Sequence, residues 1–167
     1  MNIPKKFEGA LFYTLQKCSL IKLPRVRTWQ QIDADIGWTA TNDRIFPVID
    51  IRCSPPGTNE EDGCTQKATL AILVATNAND DPTHKAMSVY YEEVQRILDN
   101  LYAQFRTGTP GTERTKFDEY LASVIVQGDP VLSIGGFSHG EATTPFEQNS
   151  AYFTGLNFNI HFSRSDY

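Results

Sequence analysis

Residues 152–162 read YFTGLNFNIHF, and this stretch decides the fold class. Its apolar and polar residues alternate one by one, Leu156, Phe158, Ile160 and Phe162 against Gly155, Asn157, Asn159 and His161. Successive side chains of a β-strand point to opposite faces. The alternation therefore predicts a strand from Tyr152 to Phe162 with one face on a core and the other in water.

Further strands are predicted upstream of this one. The segment from Phe46 to Cys53 has apolar and charged residues on different sides, and the segment from Lys67 to Thr76 is apolar at its centre without alternation. An unalternating apolar strand is expected where both faces are covered, so the second of these is placed centrally in the sheet, with helices on at least one side. A short strand from Val131 to Phe137 follows the break at Asp129 and Pro130.

Three segments show helical spacing. The first runs from Pro4 to Ser19 and repeats apolar residues every three or four positions. The strongest starts at Asp81, predicted as the N-cap, and continues to Phe105 before the break at Gly108. A third, from Thr115 to Val126, combines helical spacing with a β-branched end; we interpret it as a helix, with a strand as the alternative.

Residues 20–44 give the weakest pattern. Val26 to Trp29 is a candidate strand start, whereas Trp29, Ile32 and Ile36 would lie on one face of a short helix. Taken together, the elements run α-β-β-α-(α)-β-β. Strand pairs without a crossover helix imply hairpins. We therefore expect one α+β domain spanning residues 1–167, with a largely antiparallel sheet of four or more strands and helices packed on one face.

Charge is spread unevenly along the chain. Residues 1–56 carry eight Lys and Arg against five Asp and Glu, whereas residues 57–100 carry three against eight and residues 101–167 four against seven. Oppositely charged regions would suit head-to-tail pairing of copies, although scatter among solvated charges explains the same counts. Nothing resembles the basic stripe of a nucleic-acid-binding protein.

The sequence also narrows the cellular setting. No apolar run approaches the ~20 residues of a membrane span, and the first residues lack the apolar core of a signal peptide. These features predict a cytoplasmic protein without a membrane contact. The three cysteines form no C-x-x-C pair, so reduced thiols are expected, although Cys53 and Cys64 flank one loop.

One formal catalytic motif occurs. Residues 136–140 read GFSHG and match the G-x-S-x-G elbow, in which a strand-to-helix turn exposes a nucleophilic serine, here Ser138. No apolar helical face follows, and the only later aspartate, Asp166, lies after His161 and not before it. A glycine-rich hairpin loop is the preferred interpretation, and no enzymatic activity is predicted.

Metal and cofactor sites are not predicted either. His84, His139 and His161 lack the spacing that aims two imidazoles at one ion. The adjacent Asp80 and Asp81 are interpreted as helix-start residues and not as an acid–base pair. No Walker or dinucleotide glycine pattern is present.

The arrangement of these segments resembles the tail terminator and tail completion proteins of long-tailed bacteriophages, also called head–tail joining or minor tail proteins. The resemblance rests on the N-terminal helix, the strand from Phe46 to Ile51, the strand from Ala68 to Thr76, the helix from Asp80 to Phe105, and the closing strand from Phe158 to Phe162.

The resemblance implies a structural virion protein, made in the host cytoplasm, that forms a ring, commonly a hexamer, on the finished tail tube. Such a ring joins the tube protein to head-completion proteins, and DNA passes through its lumen without sequence-specific binding. Two segments are candidate assembly or lumen surfaces: the loop residues Glu60, Glu61 and Asp62, and the strand residues Asn157, Asn159 and His161.

Three alternatives remain open from the sequence. Another head–tail connector or head-closure component would show the same pattern. A small serine hydrolase would use Ser138, and a small-ligand binding module would use the open face of the sheet.

Overall fold

A computed structural model describes residues 3–28, 47–53, 65–77, 80–124, 131–142, 146–148 and 151–165. Within these ranges there are three helices: α1 (Ile3–Cys18), α2 (Lys85–Thr107) and α3 (Thr112–Val124). The strands are β1 (Arg25–Thr28), β2 (Val48–Cys53), β3 (Thr65–Asn77), β4 (Val131–Ala142), β5 (Phe146–Gln148) and β6 (Ala151–Ser165).

The predicted N-terminal helix is confirmed as α1. Its apolar stripe is buried, with Leu11 and Leu15 both fully inaccessible to solvent. The helix packs on β2 and on α3, where the Phe7 ring lies 6.2 Å from that of Phe117. At the N-terminal end of α1, the Lys6 ammonium donates a 2.8 Å hydrogen bond to the carbonyl of Val124. The spacing of the apolar residues thus predicts both the helix and the face that it buries.

The strands β2 and β3 supply the sheet part of the described core. They pair antiparallel, from Val48 opposite Ala75 to Cys53 opposite Leu70. Alternate residues divide between two faces. Ile49, Ile51, Ile72 and Val74 belong to the cluster shared with the helices, whereas Val48 and Ala75 form a small cluster of their own. Apolar residues are therefore buried on both faces of this pair.

Backbone pairing continues outward from these two strands. The strand order is β1-β2-β3-β6-β4, with β5 paired to β6. β1 joins β2 in parallel, whereas β6 pairs antiparallel with β3, β4 and β5. β3 lies between β2 and β6, which confirms its predicted central position.

The predicted fold class is nevertheless wrong. Side chains are described for residues 5–24, 26, 28, 47–51, 72–76 and 80–124, and this part of the chain is 65% helical. It contains one two-stranded antiparallel pair and not the expected sheet of four or more strands with helices on one face. The predicted order α-β-β-α-(α)-β-β also lacks β1 and β5, and the pairing of β1 is parallel.

The prediction was wrong because it gave the strands too large a share of the core relative to the helices. Most residues of the main core cluster come from α1 and α2, so the helices dominate the described core. β1 and β5 contain four and three residues, too few to establish a period of two. The parallel pairing of β1 with β2 depends on residues distant in sequence and leaves no local pattern.

The start of α2 differs from its prediction, because His84 and not Asp81 occupies the N-cap position. The helix begins at Lys85, after His84 in the left-handed conformation with φ of 61°. Asp81 still supplies the cap, because its carboxylate accepts hydrogen bonds from the amides of Ala86 and Met87, both at 3.0 Å. A turn between Asp81 and the helix lets the carboxylate reach further forward than an ordinary N-cap does. Gly108 ends the helix with φ of 68°, as predicted.

The ambiguous segment after α2 is a helix, α3, through Val124. Phe117 points into the core and meets the Phe105 ring edge-on at a centroid distance of 5.6 Å. Glu113, in its first turn, is also buried. The helix interpretation is confirmed as far as Val124, and Ile125 and Val126 lie outside the described residues.

Candidate interaction surface at the junction of α1 and α2

The chain leaves α1 through a turn, residues 19–21, that its own hydrogen bonds close. The Ser19 amide donates to the carbonyl of Leu15 at 3.2 Å and so extends the helical pattern by one residue. The Ser19 hydroxyl donates to the carbonyl of Ile21 at 2.7 Å and accepts from the amide of Ile21 at 3.3 Å. The side chain of one serine therefore fixes the shape of the turn.

Two side chains of α2 fasten this turn to the body of the protein. Arg96 Nη2 donates to the carbonyl of Cys18 at 3.0 Å, and the Glu93 carboxylate accepts from the amide of Leu20 at 3.3 Å. Glu93 and Arg96 also pair with each other at 2.5 Å. Glu93 is buried, and a buried carboxylate without partners would be strongly destabilising. These contacts give the buried Glu93 carboxylate its hydrogen-bond partners, and they also order the turn.

The same arginine connects this turn to α3. Arg96 Nη1 lies 3.9 Å from Glu113 Oε1, and Glu113 accepts further hydrogen bonds from Asn100 at 3.1 Å and Gln104 at 2.7 Å. Burial by itself would raise the pKa of Glu113, but the amide hydrogen bonds and the Arg96 charge hold that pKa below its usual value. An ionised Glu113 therefore joins α2 and α3 behind the turn.

Large apolar side chains are exposed on this fixed turn and beside it. Leu20 is 79% exposed, Ile21 39% and Val89 46%, and these are the exposed large hydrophobic residues among those with described side chains. Val89 lies one helical turn before Glu93 on the same face of α2, and Glu93 holds the backbone of Leu20. Leu20 and Ile21 are adjacent on the turn, and we call these two residues together with Val89 the junction patch.

Two clefts border the junction patch. One, of about 440 Å³, lies between the end of α1 and β1 and is lined by Leu23, Pro24 and Val26 together with Ile21 and Lys22. We call it the α1–β1 cleft. The other, of about 500 Å³, lies at the start of α2 and is lined by Pro82, Ala86, Val89 and Tyr90 with Asp80, Asp81, Thr83 and Lys85. Ile21 thus lines one cleft and Val89 lines the other.

Three of the six sequence-predicted surface residues fall within the described part of the chain. Glu60, Glu61 and Asp62 lie outside the described residues. Asn157, Asn159 and His161 lie on β6, whose backbone places Asn159 opposite both Thr69 of β3 and Ser138 of β4. None of these three strand residues belongs to the junction patch.

The backbone at Ser138 differs from a nucleophile elbow. Ser138 lies inside β4, paired with Asn159, and β4 continues to Ala142 instead of stopping at Phe137 as predicted. The register shifts between Ile134 and Gly136 and again between His139 and Ala142, so the glycine-rich segment is an irregular strand. The predicted hairpin loop at residues 136–140 is therefore wrong, and the strand-to-helix turn that the elbow requires is not found at Ser138.

Other sequence candidates are located as follows. His84 precedes α2, and no group of three metal-ligating side chains occurs within the part of the chain that the structure describes. Cys18 is a buried free thiol, and the approach of Cys53 to Cys64 falls outside the described side chains. None of the described helices is long and apolar enough to span a membrane.

Sequence reasoning missed the junction patch for identifiable reasons. Leu20 and Ile21 follow the last periodic residue of α1 and belong to no period of their own. Glu93 is a charged residue, a type that is expected in solvent, yet it is buried. The one local signal was the Glu93–Arg96 spacing of three, which is typical of a helical ion pair.

No protein-family model matches the sequence, and comparison with curated proteins finds no significant match.

Proposed function

We propose that this chain is a structural protein of a bacteriophage virion, a tail terminator that assembles as a ring at the head-proximal end of the tail tube. The element pattern that carries the sequence resemblance motivates the proposal. The junction patch is the structural observation that supports it, since an assembly protein needs a preformed contact surface.

The patch has the properties of a contact surface and not of incidental exposure. Single exposed hydrophobic residues are normal on protein surfaces, but adjacent ones on a rigid support are typical of interaction sites. The hydrogen bonds from Ser19, Glu93 and Arg96 already order the turn that carries Leu20 and Ile21. Binding there would lose little further conformational entropy, which favours association.

The partners that we propose are those that a tail terminator would contact. A homo-oligomeric ring, with six subunits as the expected number, would contact the tail tube protein on one face and head-completion proteins on the other. The net charge of −5 suits a lumen through which DNA passes, because like charges repel and would prevent the DNA from adhering.

The test is assembly of the purified full chain. Light scattering across a concentration series and negative-stain imaging, with and without tail tubes, should show closed rings or decoration of one tube end. A chain that stays monomeric at high concentration and leaves tube ends bare would contradict the proposal. Binding to portal-proximal head proteins and not to tubes would assign the chain to the connector or head-closure class instead.

A matched variant separates this proposal from the hydrolase alternative. Ser138→Ala should leave ring formation and tube binding unchanged, because the structural role does not use a nucleophile. Hydrolysis of a panel of p-nitrophenyl esters by the wild-type protein, abolished by Ser138→Ala, would favour the enzyme.

A further inference from the structure

We propose that the turn at residues 19–21 is a strap that opens independently of the rest of the fold, and that Arg96 is the latch that holds it closed. The turn joins the end of α1 to the segment that leads into β1, and it carries Leu20 and Ile21 of the junction patch. Its state therefore decides whether these two apolar side chains are presented in a fixed arrangement. The inference goes beyond the proposed function and does not depend on it.

The turn has little apolar attachment of its own. Leu20 is 79% exposed and Ile21 is 39% exposed. On either side of the turn the chain is anchored, because Leu15 is fully buried and Leu23 packs against the described core cluster. Beside Ile21 the turn borders the α1–β1 cleft and not packed side chains. Segments with few buried apolar contacts open at a lower free energy than the core does, so this turn is expected to open before the segments on either side of it.

Polar contacts from α2 hold the turn instead, and they meet at Arg96. Its guanidinium uses a different nitrogen for each partner: Nη2 donates to the carbonyl of Cys18 at 3.0 Å, Nε pairs with Glu93 at 2.5 Å, and Nη1 lies 3.9 Å from Glu113. Glu93 also accepts the hydrogen bond from the amide of Leu20 at 3.3 Å. Because the guanidinium fork is planar and rigid, the two carboxylates fix the direction in which it meets the Cys18 carbonyl.

The latch lies where water can reach it. The Arg96 side chain is 36% exposed, whereas the Glu93 side chain is 7% exposed. Water therefore competes for the guanidinium from one side. If the guanidinium turns away, the Cys18 carbonyl loses its donor and the buried Glu93 carboxylate loses its cation, which strongly disfavours the closed position of that carboxylate. Both attachments of the turn depend on one side chain, so they are lost together and the opening is cooperative.

Cys18 reports whether the turn is open. It is the last residue of α1, it is buried, and its carbonyl accepts the hydrogen bond from Arg96. Burial raises the pKa of its thiol, and the charge of Glu113 raises that pKa further. A closed turn thus keeps the thiol shielded and protonated, and both properties slow its reaction with electrophiles. Opening of the turn removes the shield.

The first experiment uses the full wild-type chain and measures the rate at which N-ethylmaleimide labels Cys18. Peptide mass spectrometry separates this thiol from the other two cysteines. The measurement is repeated at urea concentrations below the unfolding transition. A local opening exposes little surface, so the labelling rate should rise with urea much less steeply than global unfolding does. A rate that follows global unfolding at every urea concentration would overturn the proposal, as would a rate equal to that of an unstructured peptide.

A second experiment tests the latch. Arg96→Met should raise the rate of Cys18 labelling in the absence of urea at least tenfold, because both attachments of the turn are lost. Arg114→Met is the matched control and should change the rate less than twofold. Arg114 is similarly exposed, at 31%, but it pairs with Asp118 at the surface of α3.

Asp81→Ala separates local from global opening. It should lower the stability of the whole protein without a contact to the turn, so the labelling rate of Cys18 should again stay within twofold of the wild-type rate. Circular dichroism verifies that each variant is folded. If Arg96→Met does not fold, Arg96→Lys, which keeps the charge and loses the fork, is measured with the same expectation. The proposal is overturned if the folded Arg96 variant labels no faster than the wild-type protein, or if either control is accelerated equally.

Discussion

At the scale of single residues, Asp81 shows how one carboxylate can determine where a helix starts. It is 6% exposed and accepts hydrogen bonds from the Ala86 and Met87 amides and from the Thr76 hydroxyl at 2.9 Å. It thereby joins the end of β3 to the start of α2. The neighbouring Asp80 is exposed and serves as a natural comparison.

We expect Asp81→Ala to lower the free energy of unfolding by about 1–2 kcal/mol, the usual cost of losing a helix cap. The buried Thr76 hydroxyl would lose its partner at the same time, which places the loss towards the upper end. Urea unfolding followed by circular dichroism measures the effect. Asp80→Ala is the control and should change stability by no more than about 0.5 kcal/mol. Equal losses of stability in the two variants would show that the hydrogen bonds of Asp81 are not the cause.

Two of the buried carboxylates, Asp81 and Glu113, should also make the protein sensitive to acid. Burial tends to raise both pKa values, but the hydrogen bonds to each carboxylate outweigh it and hold both pKa values below their ordinary range. A lowered folded-state pKa means that the unfolded chain binds protons first. The stabilisation is therefore complete above the unfolded-state values, about 3.9 for Asp and 4.3 for Glu, and is lost as pH falls through the lower folded-state values.

Measurement of unfolding free energy between neutral and acid pH checks this. The wild-type curve should begin to fall about one pH unit above those reference values. Asp81→Asn and Glu113→Gln, which remove the titrating groups, should each start from lower stability at neutral pH and lose less of it on acidification. Parallel curves for wild type and both variants would show that these carboxylates do not govern the acid response.

At the scale of elements, the contact between α1 and α3 depends on a glycine. A Cβ at Gly9 would overlap the ring and hydroxyl of Tyr120, whose ring also lies 5.9 Å from that of Tyr13. The Tyr13 hydroxyl in turn donates to Glu119 at 2.9 Å. The lack of a side chain at Gly9 therefore allows α3 to approach α1 closely.

Gly9→Ala should lower stability by about 1–3 kcal/mol, the usual cost of overpacking. In a Tyr120→Ala background the same change should raise stability by about 0.5–1 kcal/mol, because alanine is the better helix former. This reversal of sign in a double-mutant cycle, measured by urea unfolding, distinguishes a packing effect from a helix-propensity effect. If Gly9→Ala raised the stability of the otherwise wild-type protein, Tyr120 would have to move aside without losing stabilising contacts.

The elements also show what the sequence could and could not predict. The helices α1 and α2 and the strand β6 are long enough to repeat their period several times, and their positions were predicted to within a few residues. The residues of the junction patch come from the turn after α1 and from the second turn of α2, and Glu93 and Arg96 of α2 hold that turn in place. Apart from the Glu93–Arg96 spacing, such a site has no local signal, because its members are about 70 residues apart in the chain.

At the scale of the whole molecule, β6 is the strand that joins the two halves of the sheet. It pairs with β3 from Ala151 opposite Asn77 to Ser163 opposite Thr65, and with β4 and β5 along its other side. These pairings connect segments that are distant in sequence, so no local pattern fixes them. The alternation in residues 152–162 predicted the strand, but only the structure identifies its partners.

Removal of residues 151–167 should therefore destroy the fold and not merely shorten it. β3 would lose its partner along 13 residues and present a long unpaired edge, which is a template for edge-to-edge aggregation. We expect the truncated chain to be insoluble or to elute as broad, high-mass species in size-exclusion chromatography, with a raised thioflavin T signal. A monodisperse truncated chain that unfolds cooperatively would show that α1, α2, α3, β2 and β3 form an independent core, and that β6 is an addition to it.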